Sequence, residues 1–164
     1  EMKNNWLDYK QEWLILITQS VTFFKKTEDK SLHHKNAKRA LNRLLRAWTD
    51  YPPTYASEKA MLLFKENKID PSSTTRKNSR VFNAKGDNKK PLIVFEHTTP
   101  INEFIKLLVS IESGEIEEAL LNYSGVCCIT REEDNLLNQN KFRNHRNGDW
   151  ENAYRSIGIK PVKL

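Results

Sequence analysis

The apolar run LIVF at residues 92–95 has the length and composition of a buried β-strand, and an acid and a base, Glu96 and His97, follow it directly. Two threonines and then Pro100 come next, and proline is favoured in the first turn of a helix. A carboxylate at the end of a buried strand is costly unless a cation, a metal or hydrogen bonds offset its desolvation. Unless the strand simply emerges into solvent here, Glu96 is therefore the first candidate for a functional group.

The first half of the chain has helical periodicity. The most regular stripe of apolar residues consists of Ala37, Ala40, Leu41, Leu44, Leu45 and Trp48. The opposite face of the same predicted helix carries the cations Lys35, Lys38, Arg39, Arg43 and Arg46. Pro52 and Pro53 end this helix because proline cannot continue one, and the next predicted helix runs from about residue 55 to 67.

The second half alternates between strands and helices. A short strand is predicted at residues 80–84, a turn at 85–88, and a buried strand at 91–98. Helical stripes follow Pro100 and again at residues 115–123, and the run VCCIT at 126–130 is a second apolar strand. A capping box formed by Thr130 and Glu133 follows this strand, and Asp149 is placed to cap a last short helix. The sequence therefore predicts an α+β, or mixed α/β, domain with a small central sheet.

The length of 164 residues is that of one domain. We expect three parts within it: a mainly helical part at residues 1–68, a strand-containing core at 69–130, and a basic helical segment at 131–164. The most apolar helical segment, residues 13–24, is shorter than the roughly 20 residues that span a bilayer, so no membrane segment is expected.

The charge balance favours a polyanionic partner. The chain has 27 Lys and Arg against 21 Asp and Glu, a net charge of +6. Its two cysteines, Cys127 and Cys128, are adjacent, and a disulfide between neighbours strains the intervening peptide. A reducing, cytoplasmic compartment is the simplest expectation.

Basic residues cluster in two segments that are predicted to be loops. The first group contains Arg76, Lys77, Arg80, Lys85, Lys89 and Lys90. The second group contains Lys141, Arg143 and Arg146, with asparagines and His145 between them. Arginine and asparagine suit base edges as well as phosphates, so both groups are candidate nucleic-acid contacts. The alternative is that they are solvated surface loops.

If Glu96 is a ligand of a divalent metal, a second carboxylate should lie near it, because magnesium favours several oxygen ligands. Asp87 lies across the predicted hairpin and Asp70 lies on the loop that leads into it, and either one can supply that carboxylate. The metal would lower the pKa of a bound water and neutralise charge that develops on a phosphate.

The order of these elements, with Asp70-Pro71, a basic hairpin and then IVFEHT, resembles the core of the PD-(D/E)xK restriction-endonuclease-like nucleases over residues 59–130. The resemblance implies magnesium held by Glu96 together with Asp70 or Asp87 beside a scissile DNA phosphate. Enzymes of this kind that cut both strands usually dimerise, so a homodimer is implied as well.

The sequence departs from that family at one position. Thr98 occupies the place of the lysine that positions the attacking water. His97 or a lysine from elsewhere (Lys89, Lys90 or Lys106) would have to replace it. Alternation along the strand predicts that His97 faces away from Glu96, unless the strand ends or bulges there.

Three functions follow from these observations. The first is a magnesium-dependent endonuclease that hydrolyses DNA, with Glu96, Asp70, Asp87 and His97 as candidate catalytic residues. The second is a non-catalytic nucleic-acid-binding module that presents the basic face of the second helix to phosphates. The third is a metal-independent, toxin-like ribonuclease, which would need two converging imidazoles from among His33, His34, His97 and His145.

Overall fold

A computed structural model describes residues 9–49, 52–74 and 91–164 of the chain. The helices are α1 (Lys10–Lys26), α2 (Leu32–Trp48), α3 (Glu58–Glu66), α4 (Ile101–Ser110), α5 (Ile116–Tyr123), α6 (Arg131–Gln139) and α7 (Trp150–Ser156). The strands are β1 (Tyr55–Ser57), β2 (Ile93–His97), β3 (Val126–Thr130) and β4 (Pro161–Lys163). Within these residues the fold is α+β, as predicted.

The four strands form one mixed sheet in the order β2-β3-β1-β4. The central strand β3 pairs antiparallel with β2 and parallel with β1, and β4 adds to β1 in the antiparallel sense. All five residues of β3 are buried, which explains its uninterrupted apolar sequence. Among the described strands, β2 is at one end of the sheet, with Glu96 opposite Cys127 and His97 opposite Val126.

Three apolar clusters hold these elements together. Helices α1, α2, α4 and α5 pack around Leu41, Leu45 and Trp48, each of them fully buried. Ile93 and Phe95 of β2 face α3 on one side of the sheet. The other side packs Cys127 and Ile129 against α6 and α7. One face of strand β2 thus packs toward α3 and the other toward α6.

Several local predictions are confirmed. Thr130 and Glu133 form the capping box at the start of α6, and the Asp149 side chain accepts from the backbone N–H of Asn152 at the start of α7. Cys127 and Cys128 are both buried and form no disulfide with each other, in agreement with the strain that a bridge between neighbours would impose. Within the described residues, no helix has the length and apolar character needed to cross a lipid bilayer.

The structure corrects the prediction of a single helix over residues 55–67. The first three of these residues form strand β1, and the helix begins only at Glu58, where the Ser57 side chain accepts from the backbone N–H of Ala60. Strand β4 was not predicted either. Both strands have three residues, which is too short for alternation to distinguish them from loop, and pairing with β3 or β1 defines them instead. The predicted strand at 80–84 and turn at 85–88 lie outside the described residues.

Candidate functional site

The end of strand β2 is held by a buried arginine that follows it by about fifty residues. Arg146 is only 2% exposed. Its guanidinium donates to Glu96 Oε1 at 2.7 Å, to the carbonyl oxygen of Thr98 at 2.8 Å, and to the carbonyl oxygen of His97. The guanidinium also lies over the ring of Tyr154, 5.2 Å from its centroid. Arg146 therefore fixes both the carboxylate and the backbone where the strand ends.

A second carboxylate holds the loop that delivers Arg146. Glu103, in the first turn of α4, accepts from the backbone N–H of Arg146 at 2.9 Å and from that of Gly148 at 3.0 Å. The ring of His145 lies 3.5 Å from the same side chain. Gly148 has a φ of 75°, a conformation that suits glycine and lets the loop turn back toward α7.

The desolvation of Glu96 is offset by Arg146. The Glu96 side chain is 18% exposed, and burial raises its pKa, while the charge of Arg146 and its hydrogen bond act in the opposite direction. A cation, a metal or hydrogen bonds can offset the desolvation of a buried carboxylate. Among the described residues, Glu96 has a cation that also donates a hydrogen bond to it. Because its pKa is raised, Glu96 takes up a proton more readily than an exposed glutamate does.

His97 and Thr98 have separate partners. The Nε2 atom of His97 lies 2.8 Å from Thr49 Oγ1 at the end of α2, while Glu96 turns to Arg146, as the alternation of a strand requires. Thr98 is 3% exposed and donates from its hydroxyl to the carbonyl oxygen of Gly125. The position where the nuclease family has its lysine is therefore part of the packing between β2 and the residue that precedes β3.

The predicted magnesium ligands are only partly within the described residues. Asp70 is exposed and caps the short turn Pro71–Ser73, where its Oδ1 accepts from the backbone N–H of Ser72 at 3.0 Å and from its hydroxyl at 2.7 Å. These hydrogen bonds lower the pKa of Asp70. Asp87 lies outside the described residues. Over residues 9–49, 52–74 and 91–164, no three His, Cys, Asp or Glu side chains come together as a metal site, and the magnesium site stays a prediction.

A polar pocket of about 250 Å³ opens beside Glu96. Its walls come from α2, from strand β2, from the start of α4, from α6 and from the loop between α6 and α7. We call it the arginine pocket, because three arginines from three different elements line it: Arg46, Arg131 and Arg143. Asn42, Asn102 and Asn144 add amide groups, which both donate and accept hydrogen bonds.

The acids of this pocket are already matched by cations. Asp134 lies 3.0 Å from the guanidinium of Arg131, as Glu96 does at 2.7 Å from Arg146. Arg46 instead donates to the amide oxygen of Asn42 at 2.9 Å. Similarly, Arg143 donates to the amide oxygen of Asn138 at 3.3 Å. These two exposed arginines are therefore oriented by neutral amides and keep donors for a ligand.

The basic residues predicted to contact nucleic acid have different surroundings in the structure. Arg143 lines the arginine pocket and Lys141 is exposed on the same loop. Arg146 is bound to protein oxygens, and contact with nucleic acid would require it to leave them. The group formed by Arg76, Lys77, Arg80, Lys85, Lys89 and Lys90 lies outside the described residues.

Sequence reasoning did not identify Arg131 as a site residue. It is the first residue of α6, and its position in the capping segment indicated only a helix start. Arg46 was recognised as part of a basic helix face, but its proximity to Glu96 depends on how α2 packs against the end of β2. The sequence thus placed Arg131 at a helix start and Arg46 on a basic helix face, and the tertiary structure brings the two residues to one pocket.

The histidines of the proposed ribonuclease are distributed over separate contacts. His34 lies against Phe24, with its ring near Thr27 and Asp29, while His145 is near Glu103. His97 alone among the four lines the arginine pocket. The pocket thus brings one of the four imidazoles, that of His97, beside Glu96.

No family model matches this chain, and no curated protein and no solved structure matches it either. The resemblance of residues 59–130 to PD-(D/E)xK nucleases accordingly stays a prediction. What the structure contributes is the arrangement of Glu96, Arg146 and the arginine pocket.

Proposed function

We propose that this protein binds nucleic acid and that the arginine pocket holds a phosphate of the nucleic-acid backbone. The observation that carries the proposal is the convergence of Arg46, Arg131 and Arg143 from three separate elements on one concave site. The site's two carboxylates are each paired with an arginine, so neither leaves an unmatched negative charge to repel a phosphate.

The chemistry of the pocket suits a phosphodiester. A guanidinium presents its donors in a planar fork that matches two phosphate oxygens, and its charge is permanent. The amides of Asn102 and Asn144 can hydrogen-bond a sugar or a base edge beside the phosphate. The net charge of +6 over the chain adds a long-range attraction for a polyanion.

Removing the two exposed arginines should weaken binding. The double variant Arg46→Gln/Arg143→Gln is expected to lower the affinity for labelled DNA and RNA oligonucleotides on the order of tenfold or more, because two charge-assisted hydrogen-bonding groups disappear. Fluorescence anisotropy at several salt concentrations measures this. The slope of log K against log salt should become shallower in the variant by roughly 0.7 for each single-strand phosphate that is no longer neutralised.

The matched control is Lys65→Gln/Lys163→Gln, which removes the same charge from exposed positions on α3 and β4, outside the pocket. It should change affinity far less. Equal reductions of affinity in the two double variants would mean that binding depends on net charge alone, and the pocket would not be the site. Wild-type protein that binds neither DNA nor RNA at low salt would overturn the proposed function.

A second candidate function is cleavage of the bound phosphodiester, and the raised pKa of Glu96 favours it. Groups that act in general acid–base catalysis need a pKa nearer neutrality than that of an exposed glutamate, and Glu96 lines the same pocket as the arginines. Two mechanisms differ in what Glu96 does. In the metal-dependent nuclease it holds magnesium together with Asp70 or Asp87. In the metal-independent ribonuclease it moves a proton.

A cleavage assay in magnesium and in EDTA should distinguish these mechanisms, and Glu96→Gln tests whether Glu96 takes part in either. Supercoiled plasmid DNA and single-stranded RNA are each incubated with wild type and variant, in magnesium and in EDTA. If the protein cleaves, Glu96→Gln is expected to lower the rate by about 10²–10⁴-fold, because glutamine can neither transfer the proton nor bind the metal as a carboxylate. Cleavage that stops in EDTA supports the metal-dependent endonuclease, and cleavage that persists in EDTA supports the ribonuclease.

Glutamine can still accept a hydrogen bond from Arg146 but leaves this buried arginine without its counter-charge, so circular dichroism must first show that the variant folds. The anisotropy assay checks that it still binds. No cleavage by wild-type protein of either substrate in either buffer would exclude both catalytic candidates and leave the binding function. Equal cleavage by wild type and variant would remove Glu96 from the mechanism.

A further inference from the structure

The exposed face of α2 continues the arginine pocket. Asn42 and Arg46 line the pocket, and Arg39 and Lys35 precede them on the same helix at spacings of three or four residues. Residues at these spacings lie on one side of a helix. The opposite side is buried through Ala37, Leu41, Leu45 and Trp48.

This helix face carries one sign of charge. The segment Leu32–Trp48 has no acidic residue. Four exposed cations outside the pocket lie on its outer side, and we call them the basic face of α2: Lys35, Lys38, Arg39 and Arg43. From Lys35 to Arg46 the helix rises by about 16 Å, at roughly 1.5 Å per residue. The cations thus form a row that ends in the pocket.

We propose that the arginine pocket and the basic face of α2 form one continuous surface that binds a single strand of nucleic acid, with one nucleotide in the pocket and the following, stacked nucleotides along α2. This inference rests on the proposed function and specifies its substrate. The pocket anchors one phosphate, and the helix face neutralises the phosphates that follow it.

The size of the pocket favours a single strand over a duplex. Its volume of about 250 Å³ is below the roughly 300–1,000 Å³ of pockets that enclose a drug-sized ligand. It therefore accommodates a phosphate with part of its nucleotide, whereas a duplex is too wide to enter.

The length of the row sets the number of nucleotides. A row of about 16 Å spans roughly five nucleotides at about 3.4 Å each along a stacked strand. Affinity should therefore rise with length up to about six nucleotides, counting the one in the pocket, and change little beyond that. A trinucleotide uses the pocket and at most the near end of α2.

The test compares labelled single strands of three and eight nucleotides with a twelve-base-pair duplex, by fluorescence anisotropy at low salt. The variants are Lys35→Gln/Arg39→Gln on the far part of the basic face, Arg46→Gln/Arg143→Gln in the pocket, and Lys65→Gln/Lys163→Gln as the control of equal charge. Lys35→Gln/Arg39→Gln should weaken binding of the eight-nucleotide strand on the order of tenfold and leave that of the trinucleotide within about twofold. Arg46→Gln/Arg143→Gln should weaken binding of both single strands.

The outcomes separate the inference from the function on which it rests. Wild-type binding to none of the three ligands overturns both. Single-strand binding that does not depend on Lys35 and Arg39, or that is equally tight for three and eight nucleotides, overturns the continuous surface and leaves the pocket. Tighter binding of the duplex than of the eight-nucleotide strand also overturns it. Selective weakening of the longer strand by Lys35→Gln/Arg39→Gln, with preference for single strands, supports it.

Discussion

Arg146→Ala is expected to destabilise the fold by about 3–5 kcal/mol, the range for removing one partner of a buried ion pair. The substitution leaves Glu96 mostly buried without its cation and removes the donors to the carbonyl oxygens of His97 and Thr98. It also removes the guanidinium that packs over Tyr154. Urea denaturation followed by circular dichroism measures the change in the free energy of unfolding.

The neighbouring loop arginine supplies the control. Arg143 is exposed and hydrogen-bonds an amide, so Arg143→Ala should change the free energy of unfolding by less than about 0.5 kcal/mol. If the two alanine variants are equally stable, the buried ion pair contributes nothing to the fold. Replacing both Glu96 and Arg146 by apolar residues of similar size should cost less than Arg146→Ala, because it leaves no buried charge unpaired.

The cost of Arg146→Ala should shrink at acidic pH. In the wild type, burial raises the pKa of Glu96 above its usual 4.5, and Arg146 opposes that rise. Without Arg146 the pKa in the folded state rises further, so the folded variant takes up a proton more readily than the unfolded chain. Compared with the wild type, the Arg146→Ala variant is therefore least destabilised below about pH 4.5, and its destabilisation grows as the pH rises through the pKa of Glu96 in the folded variant. Unfolding experiments at pH 4.5 and pH 7 test this sign.

Glu133→Ala is expected to cost about 2–4 kcal/mol, because one buried carboxylate oxygen holds two elements together. Glu133 Oε2 accepts from the hydroxyl of Ser57 at 2.6 Å and from the backbone N–H of Thr130 at 2.8 Å. The Ser57 hydroxyl in turn accepts from the backbone N–H of Ala60 in the first turn of α3. This carboxylate therefore joins the starts of α3 and α6, and its removal leaves buried donors without an acceptor. Thermal and urea unfolding both report the destabilisation.

The preceding glutamate is the matched control. Glu132 is exposed, and its carboxylate lies 3.9 Å from the amine of Lys59, which is exposed as well. Ion pairs of this kind contribute little to stability, so Glu132→Ala should be nearly neutral. A neutral effect of Glu133→Ala as well would show that the capping box and its bond to Ser57 are dispensable.

Much of the local structure follows from short-range patterns. The amphipathic period of α2, the capping box at Thr130 and the cap at Asp149 are each determined by residues within a few positions of one another. Such patterns do not predict the strands β1 and β4, because three residues are too few to show a period. These strands are defined by hydrogen bonds to strands that are distant in sequence. Glu96 and Arg143 were predicted as site residues because each stands out within its own short segment. Arg131 was not predicted, because its place in the pocket depends on residues that are near it only in space.

The spacing of side chains along the chain is enough to predict a carboxylate at the end of a buried strand and an all-basic face on α2, because periodicity and burial follow from that spacing. The contacts of that carboxylate, in contrast, depend on how distant elements pack together. Arg146 reaches Glu96 across fifty residues because Glu103 holds its loop against α4, and the same packing brings α2 and α6 to the pocket. Contacts between residues so far apart are set by the packing of whole elements, and no local pattern encodes them.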